Sequence, residues 1–434
     1  MKNTKLSPKF WAALTIFSLI GQIAWVVENM YFNVFIYKMF HASESAIATM
    51  VAASAIAATV TTLLIGALSD KIGKRKLFIC VGYLLWGVSI LSFALIRVDV
   101  IERLFPAAVS AASVGVSLVI VMDCVMTFFG SSANDACFNA WLTDSTDDTN
   151  RGAAEGINAM MPLVAILAVF GGFMGFDLDQ PSSWVTIYTV IGLVVLAVGV
   201  LGFFLIREPK LETEGKQRWL ANIFYGFRPS VVRENRLLYL TLAAFAVFGI
   251  SIQVFMPYLI LYYEVSLGME DYVLIMAPAI LIAAVATAFY GKLYDRIGFL
   301  PSLVPALGML LAGYVLLFFF RTTVPVFLGS LLMMSGYLAG MAVFGAMLRT
   351  QTPAGRAGMF QGLRIVGQVL IPGMIGPYIG ALVLQGAERI LNDDGTSSFV
   401  PNAGIFLAAL AVELCILPLL LAILRKQRRQ KTAD

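Results

Sequence analysis

GALSDKIGKRK, running from Gly66 to Lys76, and GKLYDRIGFLP, running from Gly291 to Pro301, are the stretches whose reading decides the fold. They agree at Gly66 and Gly291, Leu68 and Leu293, Asp70 and Asp295, Ile72 and Ile297, and Gly73 and Gly298. Each is a short charged junction between two long apolar segments. A second echo follows each junction in the same order, Glu155-Gly156-Ile157-Asn158 against Gln361-Gly362-Leu363-Arg364. Two echoes in register predict a duplicated unit whose copies run in the same orientation.

The apolar segments around these junctions set the solvent. Of 434 residues, 59% are hydrophobic and 13% charged, against roughly a quarter charged in soluble chains. The apolar blocks are long enough to cross a hydrocarbon core of about 30 Å as helices. Helices satisfy their own backbone hydrogen bonds in lipid, and no sustained alternation of period two argues for a barrel. Polar breaks place spans near 10–38, 46–68, 77–97, 114–142, 153–175, 184–206, 237–263, 272–290, 301–321, 325–348, 357–385 and 403–424. The expected fold is therefore all-α and integral to a membrane, with twelve transmembrane helices in two pseudo-symmetric six-helix bundles.

An even number of spans puts both termini on one side. Lys71, Lys74, Arg75, Lys76, Arg151, Lys292, Arg296, Arg349, Arg356 and the Arg425–Arg429 tail fall on that side. Lys38, Arg97, Arg103, Arg321 and Arg389 fall on the other. By the positive-inside rule both termini are expected in the cytoplasm of a multi-pass plasma-membrane protein of bacterial inner-membrane type. The predicted organisation is a first bundle over 1–206, a cytoplasmic linker over 207–236, a second bundle over 237–424 and a basic tail over 425–434. The linker mixes basic residues with Trp219, Phe224, Tyr225 and Phe227, which reads as an interfacial amphipathic segment. The apolar stretch after the basic start Met1–Lys9 is too long for a signal h-region and reads as a retained first span.

Cys80, Cys124, Cys137 and Cys415 lie inside apolar segments without CxxC spacing and read as small hydrophobes. His41 is the only histidine, so a multi-histidine metal site is excluded. No metal and no cofactor are expected. The basic excess is explained by topology and implies no nucleic-acid partner; lipid, a small-molecule solute and a monomeric state are expected. No G-x-x-x-x-G-K-[ST] loop or nucleophile triad occurs, which argues against ATP-driven transport and against an enzyme.

The junction resembles the loop between helices 2 and 3 of the major facilitator superfamily of secondary transporters, G-x-L-(S/A)-D-x-x-G-(R/K)-(R/K). Gly66, Leu68, Asp70, Gly73, Lys74 and Arg75 match it, and Gly291, Leu293, Asp295, Arg296 and Gly298 match the weaker second-half counterpart. The resemblance implies secondary transport by alternating access, and is nearest to the sugar-cation symporter branches. One departure concerns the melibiose-permease type, which carries acidic cation ligands in helix 2. Met50–Gly66 contains no acid, so H+ is the expected coupling ion and Na+ the second choice.

Residue chemistry supports a conformational latch at the junction. Glycine lets a helix end turn tightly or approach a neighbour, and a carboxylate there can face a helix N-terminus or an arginine. Gly66, Asp70, Gly73 and Arg75, with Arg151 as a partner for Asp70 and with Asp295 and Arg296 in the second half, form the candidate latch. The plainer alternative is that the lysines and Arg75 only mark topology.

Ionisable and amide side chains within the spans are costly and point to a solute or ion path. In span 1, Gln22, Trp25, Glu28, Asn29 and Asn33 recur at helical spacing. Span 4 carries Asp123, Thr127, Ser131, Asn134, Asp135, Asn139 and Trp141, and Gln361, Arg364 and Gln368 follow one another in span 11. The candidate solute-binding set is Trp25, Asn29, Asn33, Asn134, Asp135, Asn139, Asn158, Gln253, Gln361, Arg364 and Gln368. Glu28, Asp135 and Asp123 are the candidate proton or cation carriers. Each has a structural alternative: amide stripes hydrogen-bond between helices, Arg364 can sit in an ion pair, Asp123 can lie near the outer surface, and Glu264 can be solvated. Trp141, Tyr258, Tyr262 and Tyr263 can stack on a sugar ring or can simply pack.

These features favour cation-coupled, most readily proton-coupled, symport of a sugar or glycoside. A multidrug or metabolite exporter is the first alternative, since 19 methionines and 31 phenylalanines suit a forgiving cavity. A nontransporting sensor on the same fold is the second.

Overall fold

The computed structural model describes residues 6–106, 110–147, 150–208, 225–352, 362–392 and 395–431. Within them lie twelve helices long and apolar enough to cross a membrane. Spans 1 to 6 are Pro8–Phe40, Glu44–Ile72, Arg75–Phe93, Ala111–Asp144, Arg151–Phe173 and Pro181–Leu205. Spans 7 to 12 are Arg236–Ser266, Tyr272–Ile297, Phe299–Phe319, Thr323–Gln351, Gly362–Leu384 and Gly404–Gln427. The chain divides into two compact units, Met1–Leu220 and Ala221–Asp434. Part of the expected linker, with Trp219 and Phe224, lies outside the described residues.

The duplication read from the junctions recurs in the packing of each unit. In the first, span 1 packs on spans 5 and 6, span 2 on span 4, and span 3 on span 6. In the second, span 7 packs on spans 11 and 12, span 8 on span 10, and span 9 on span 12. Lipid tails are as apolar as leucine, so close backbone approach drives this association rather than escape from water. Gly87 of span 3 and Gly192 of span 6 show it: a Cβ on Gly87 would lie 2.9 Å from the Gly192 carbonyl oxygen.

The junction glycines have distinct work. Gly73 ends span 2 with φ 70° and ψ 22°, the left-handed cap that a β-carbon disfavours. Its counterpart Gly298 turns span 8 into span 9 at φ 81°. Gly66 differs from the expectation: it lies inside span 2, where an added Cβ would meet only Ala136 at 3.9 Å, an ordinary contact. The turn belongs to Gly73 because the helix continues through Ile72.

Among the described residues four spans contain π-helical turns, at Val27–Tyr31 in span 1, Ser131–Phe138 in span 4, Tyr262–Ser266 in span 7 and Val366–Leu370 in span 11. A π turn inserts one residue, loosens the i to i−4 ladder and re-aims side chains, and such turns concentrate at functional sites. Here they carry Glu28, Asn134 with Asp135, Glu264 and Gln368. One element lies outside the helical expectation: β1 (Arg389–Leu391) pairs antiparallel with β2 (Ser397–Phe399) between spans 11 and 12.

Candidate functional site

The first unit holds a buried polar cluster where spans 1, 2 and 4 meet. Asp123, Thr127, Ser131 and Asp135 recur every fourth residue along span 4, so they share one helix face over about 18 Å. Glu28 is 6% exposed and Asp123 2% exposed. Thr127 Oγ1 donates to Glu28 Oε1 at 2.7 Å and Ser54 Oγ donates to the same oxygen at 2.9 Å. The two hydroxyl oxygens are themselves 2.7 Å apart. Glu28 Oε2 and Asp123 Oδ1 are buried and have no hydrogen-bond partner among the described residues. Asp123 is close enough to Glu28 to act on it electrostatically. It is therefore interior to the bundle, and the surface alternative does not hold.

One turn further on, Ser131 Oγ donates to Asp135 Oδ2 at 3.0 Å. The Trp25 indole approaches the same carboxylate, but its buried Nε1 makes no hydrogen bond of ordinary geometry. Trp25 rests against Trp86, with ring centroids 5.1 Å apart. Among the described residues of this unit no lysine or arginine forms an ion pair with Glu28, Asp123 or Asp135. The arrangement can therefore accept or hold a cation, a proton or a hydroxylated solute without first displacing a basic side chain.

The amides around the cluster divide by what they touch. Asn29 Nδ2 donates to the Trp25 carbonyl at 2.8 Å and Asn33 Nδ2 to the Asn29 carbonyl at 2.9 Å. Asn139 Nδ2 donates to the Asp135 carbonyl at 3.2 Å. All three serve backbone carbonyls in and beside the π turns, where the regular ladder is loosened. Asn134 Nδ2 donates to the Tyr83 hydroxyl at 2.6 Å, and that hydroxyl donates to the Phe17 carbonyl at 2.8 Å. Asn158 accepts a short hydrogen bond from Ser18 Oγ, which ties span 5 to span 1.

In the second unit, Gln253 of span 7 is half-buried beside span 11, where a Cβ on Gly376 would touch it. Arg364 is half-buried, and its Nε has no hydrogen-bond partner among the described residues. Gln368 lies in the π turn of span 11. Gln361 lies outside the described residues. The aromatic candidates are packing residues: Trp141 is 2% exposed and stacks on Phe138 at 5.6 Å, and Tyr258, Tyr262 and Tyr263 are at most 1% exposed. Their polar ends meet the carbonyls of Arg207, Pro377 and Leu317 and the hydroxyl of Ser330. Rings enclosed on both faces have none left for a sugar. Glu264 is half-buried rather than solvated.

The junction forms a second cluster. Arg75 is 5% exposed and pairs with Asp70. Its Nε donates to Asp144 Oδ2 at 3.1 Å and its Nη1 to Ser69 Oγ at 2.5 Å, while Ser69 Oγ donates to the Gly66 carbonyl at 2.9 Å. Arg151 bonds the end of span 4, through the Thr146 carbonyl at 3.1 Å and the Thr143 carbonyl at 3.4 Å. In the second half Asp295 and Arg296 are exposed, and among the described residues they form no ion pair. The echo stops there because Leu300 occupies the place that Arg75 takes in the first junction.

Ser54, Ser69, Tyr83 and Asp144 were not singled out as site residues from sequence. Ser54 is a lone hydroxyl among alanines, and nothing in its neighbours marks it until span 2 is laid against spans 1 and 4. Asp144 stands close to the end of span 4, where a carboxylate is ordinarily solvated.

Comparison with known proteins agrees with this architecture. The family model for the Major Facilitator Superfamily matches residues 11–377. No curated protein sequence matches. Among solved structures, a variant of the nucleoside transporter NupG superposes with a TM-score of 0.71 at 11% identity, covering 95% of this chain and 99% of that one. A D-xylose-proton symporter gives 0.68 at 14% identity, covering 94% and 97%. A bacterial homologue of the human lysosomal transporter Spinster, inward-facing and occupied, gives 0.67 at 16% identity, covering 97% and 98%. Identities this low speak for the fold alone; with the family model matched over most of the sequence, the chain belongs to the major facilitator superfamily, a multi-pass membrane transporter rather than an enzyme.

Proposed function

We propose that the protein is a proton-coupled secondary transporter of a small hydroxylated solute, a sugar or glycoside, working by alternating access. The observation that carries the coupling is the triangle of Glu28 Oε1, Ser54 Oγ and Thr127 Oγ1, three contacts of 2.7 to 2.9 Å. Each hydroxyl can donate to the ionised carboxylate or accept from the protonated one, so the pair serves both states of a proton carrier. Glu28 is then the proton carrier, Ser54 and Thr127 hold it in place, and Asp123 and Asp135 extend the acidic stripe along span 4. A buried carboxyl with no cation beside it changes charge at large cost, so protonation and the conformation around it are linked. Sodium is the second choice, because Met50–Gly66 of span 2 carries no acid.

The sugar class rests, in the first unit, on the Asp135 carboxylate beside the Trp25 indole, and, in the second unit taken by itself, on the half-buried polar groups Arg364 and Gln368 of span 11. Two proteins of similar fold are named for polyhydroxylated solutes, a nucleoside and xylose. Asp70, Arg75, Ser69 and Asp144 act as the latch. The placement of both termini in the cytoplasm follows the distribution of positive charge.

Uptake into proteoliposomes tests this reading. Glu28→Gln keeps the Oε1 acceptor and loses the titratable group. Accumulation driven by an imposed pH gradient is expected to vanish while solute exchange at equal pH persists. Gradient-driven accumulation equal to wild type in Glu28→Gln, or wild-type uptake of candidate sugars indifferent to pH, refutes proton coupling through Glu28.

A further inference from the structure

The second unit holds a carboxyl that the site described above does not use. Glu413 stands in span 12, about 14 Å along the helix from Gly404 at 1.5 Å per residue, and is 1% exposed. A hydrocarbon core is about 30 Å thick, so the side chain lies close to its middle. Its polar neighbours are hydroxyls from two other helices, Ser251 of span 7 and Tyr314 of span 9, both fully buried. Ser251 Oγ donates to the Ala409 carbonyl of span 12 at 2.9 Å and lies 3.0 Å from the Tyr314 hydroxyl. Phe255 meets both Tyr314 and Phe406, so the surroundings are otherwise aromatic.

No cation balances this carboxyl. Among the described residues no lysine or arginine forms an ion pair with it. The segments packed on this part of span 12 are Arg236–Phe255 of span 7, Phe299–Phe319 of span 9 and Ile371–Leu384 of span 11. Their ionisable groups are Arg236, Tyr239, Tyr314 and Tyr378, and span 12 itself adds Cys415, Arg425 and Lys426. Arg236 begins span 7 about 22 Å before Ser251, and Arg425 lies about 18 Å beyond Glu413. Of these groups, Tyr314 is the one on which Glu413 acts electrostatically.

An ionised carboxylate here is both unsolvated and unpaired. Ser251 carries one hydrogen, directed to Ala409, and serving a carboxylate means giving that bond up. Its oxygen can still accept, so a carboxyl that carries a proton gains a partner from the same hydroxyl. Span 7 is pressed on span 11 as well, where a Cβ on Gly376 would lie 2.7 Å from the Ile250 carbonyl oxygen. It therefore has little room to draw back from span 12 and admit water.

We propose that Glu413 is a second proton-binding site, in which the proton joins Glu413 to Ser251 and holds spans 7, 9 and 12 together, and whose release loosens that contact. The site belongs to the second unit and does not depend on the role of Glu28.

Infrared difference spectra of the full-length protein in proteoliposomes, wild type minus Glu413→Gln, read the carbonyl stretch of the protonated carboxyl directly. A band lost in the variant is expected at about pH 6, diminishing reversibly as the pH is raised to about 9. Glu413→Met removes the carboxyl in a different way and is expected to lose the same band, which separates the loss from misfolding of one variant. In Ser251→Ala the band is expected to remain and to move to higher frequency, because the acceptor is gone. Proton binding to the packed form also makes wild type lose stability relative to Glu413→Gln as pH rises, by up to about tenfold in the folded-to-unfolded ratio per pH unit for one proton. The absence of a difference band at every pH overturns the proposal, because Glu413 is then ionised throughout. A band that does not diminish marks a fixed acid and overturns it too, as do unfolding midpoints of wild type and Glu413→Gln that run parallel with pH.

Discussion

Neutralising the three members of the junction cluster one at a time should reveal an order that sequence motifs do not contain. Asp70 carries the motif, but its side chain is 64% exposed, whereas Asp144 is 24% exposed and Arg75 6%. An exposed carboxylate is already solvated, so its pairing with Arg75 is worth at most about 1 kcal/mol. The Asp144 bond to Arg75 Nε is part-buried and charge-assisted, worth about 1.5–3 kcal/mol. Removing Arg75 also abandons the Ser69 hydroxyl and strands Asp144 beside a lost cation, at a cost of about 3–5 kcal/mol. The expected order of destabilisation is therefore Arg75→Gln, then Asp144→Asn, then Asp70→Asn.

For a unit of this size about 1 kcal/mol corresponds to roughly 2–4 °C in the unfolding midpoint. Asp144→Asn should then fall by about 3–12 °C and Asp70→Asn by about 4 °C or less. The assay is thermal unfolding of purified protein in one detergent at one scan rate, with the Arg75→Gln/Asp144→Asn double variant closing a cycle. The double variant should be little worse than Arg75→Gln alone, since both remove the same bond. Asp70→Asn costing as much as Asp144→Asn, or an additive double variant, refutes the reasoning.

Tyr83→Phe removes the hydroxyl that receives Asn134 and donates to the Phe17 carbonyl; two buried groups lose partners, and a loss of about 2–4 kcal/mol is expected in the same assay. Glu413 in span 12 is 1% exposed, and its carboxyl approaches the Ser251 hydroxyl without a hydrogen bond of ordinary geometry. Glu413→Met, of similar volume and apolar, should leave stability unchanged or raise it by about 1–2 kcal/mol, and a fall in midpoint would show that the carboxyl is held by a partner. Asp99 is held below its ordinary range by Arg97. Its stabilising contribution is present above the unfolded-state value and is lost only as pH falls through the lower folded value. Asp99→Asn should therefore leave the pH profile of uptake between 5 and 8 unmoved, and a displaced profile would contradict this.

Much of this protein was legible in sequence because lipid imposes a simple rule: a segment either hides its backbone in a helix and shows apolar side chains, or it does not cross. Twelve apolar blocks therefore gave twelve helices, and the repeated junctions gave two related halves whose span pairings recur. Glu28 and Asp135 stood out for the same reason, as charges inside apolar blocks. The tertiary structure alone decided the partners. Ser54 became a ligand of Glu28 only when span 2 was packed on spans 1 and 4, and only the packing brought Asp144, from the end of span 4, to Arg75 beside Asp70. Composition decides which side chains lipid will not tolerate, whereas a hydrogen bond needs two atoms within about 3 Å, and that distance between separate helices exists only once they are packed.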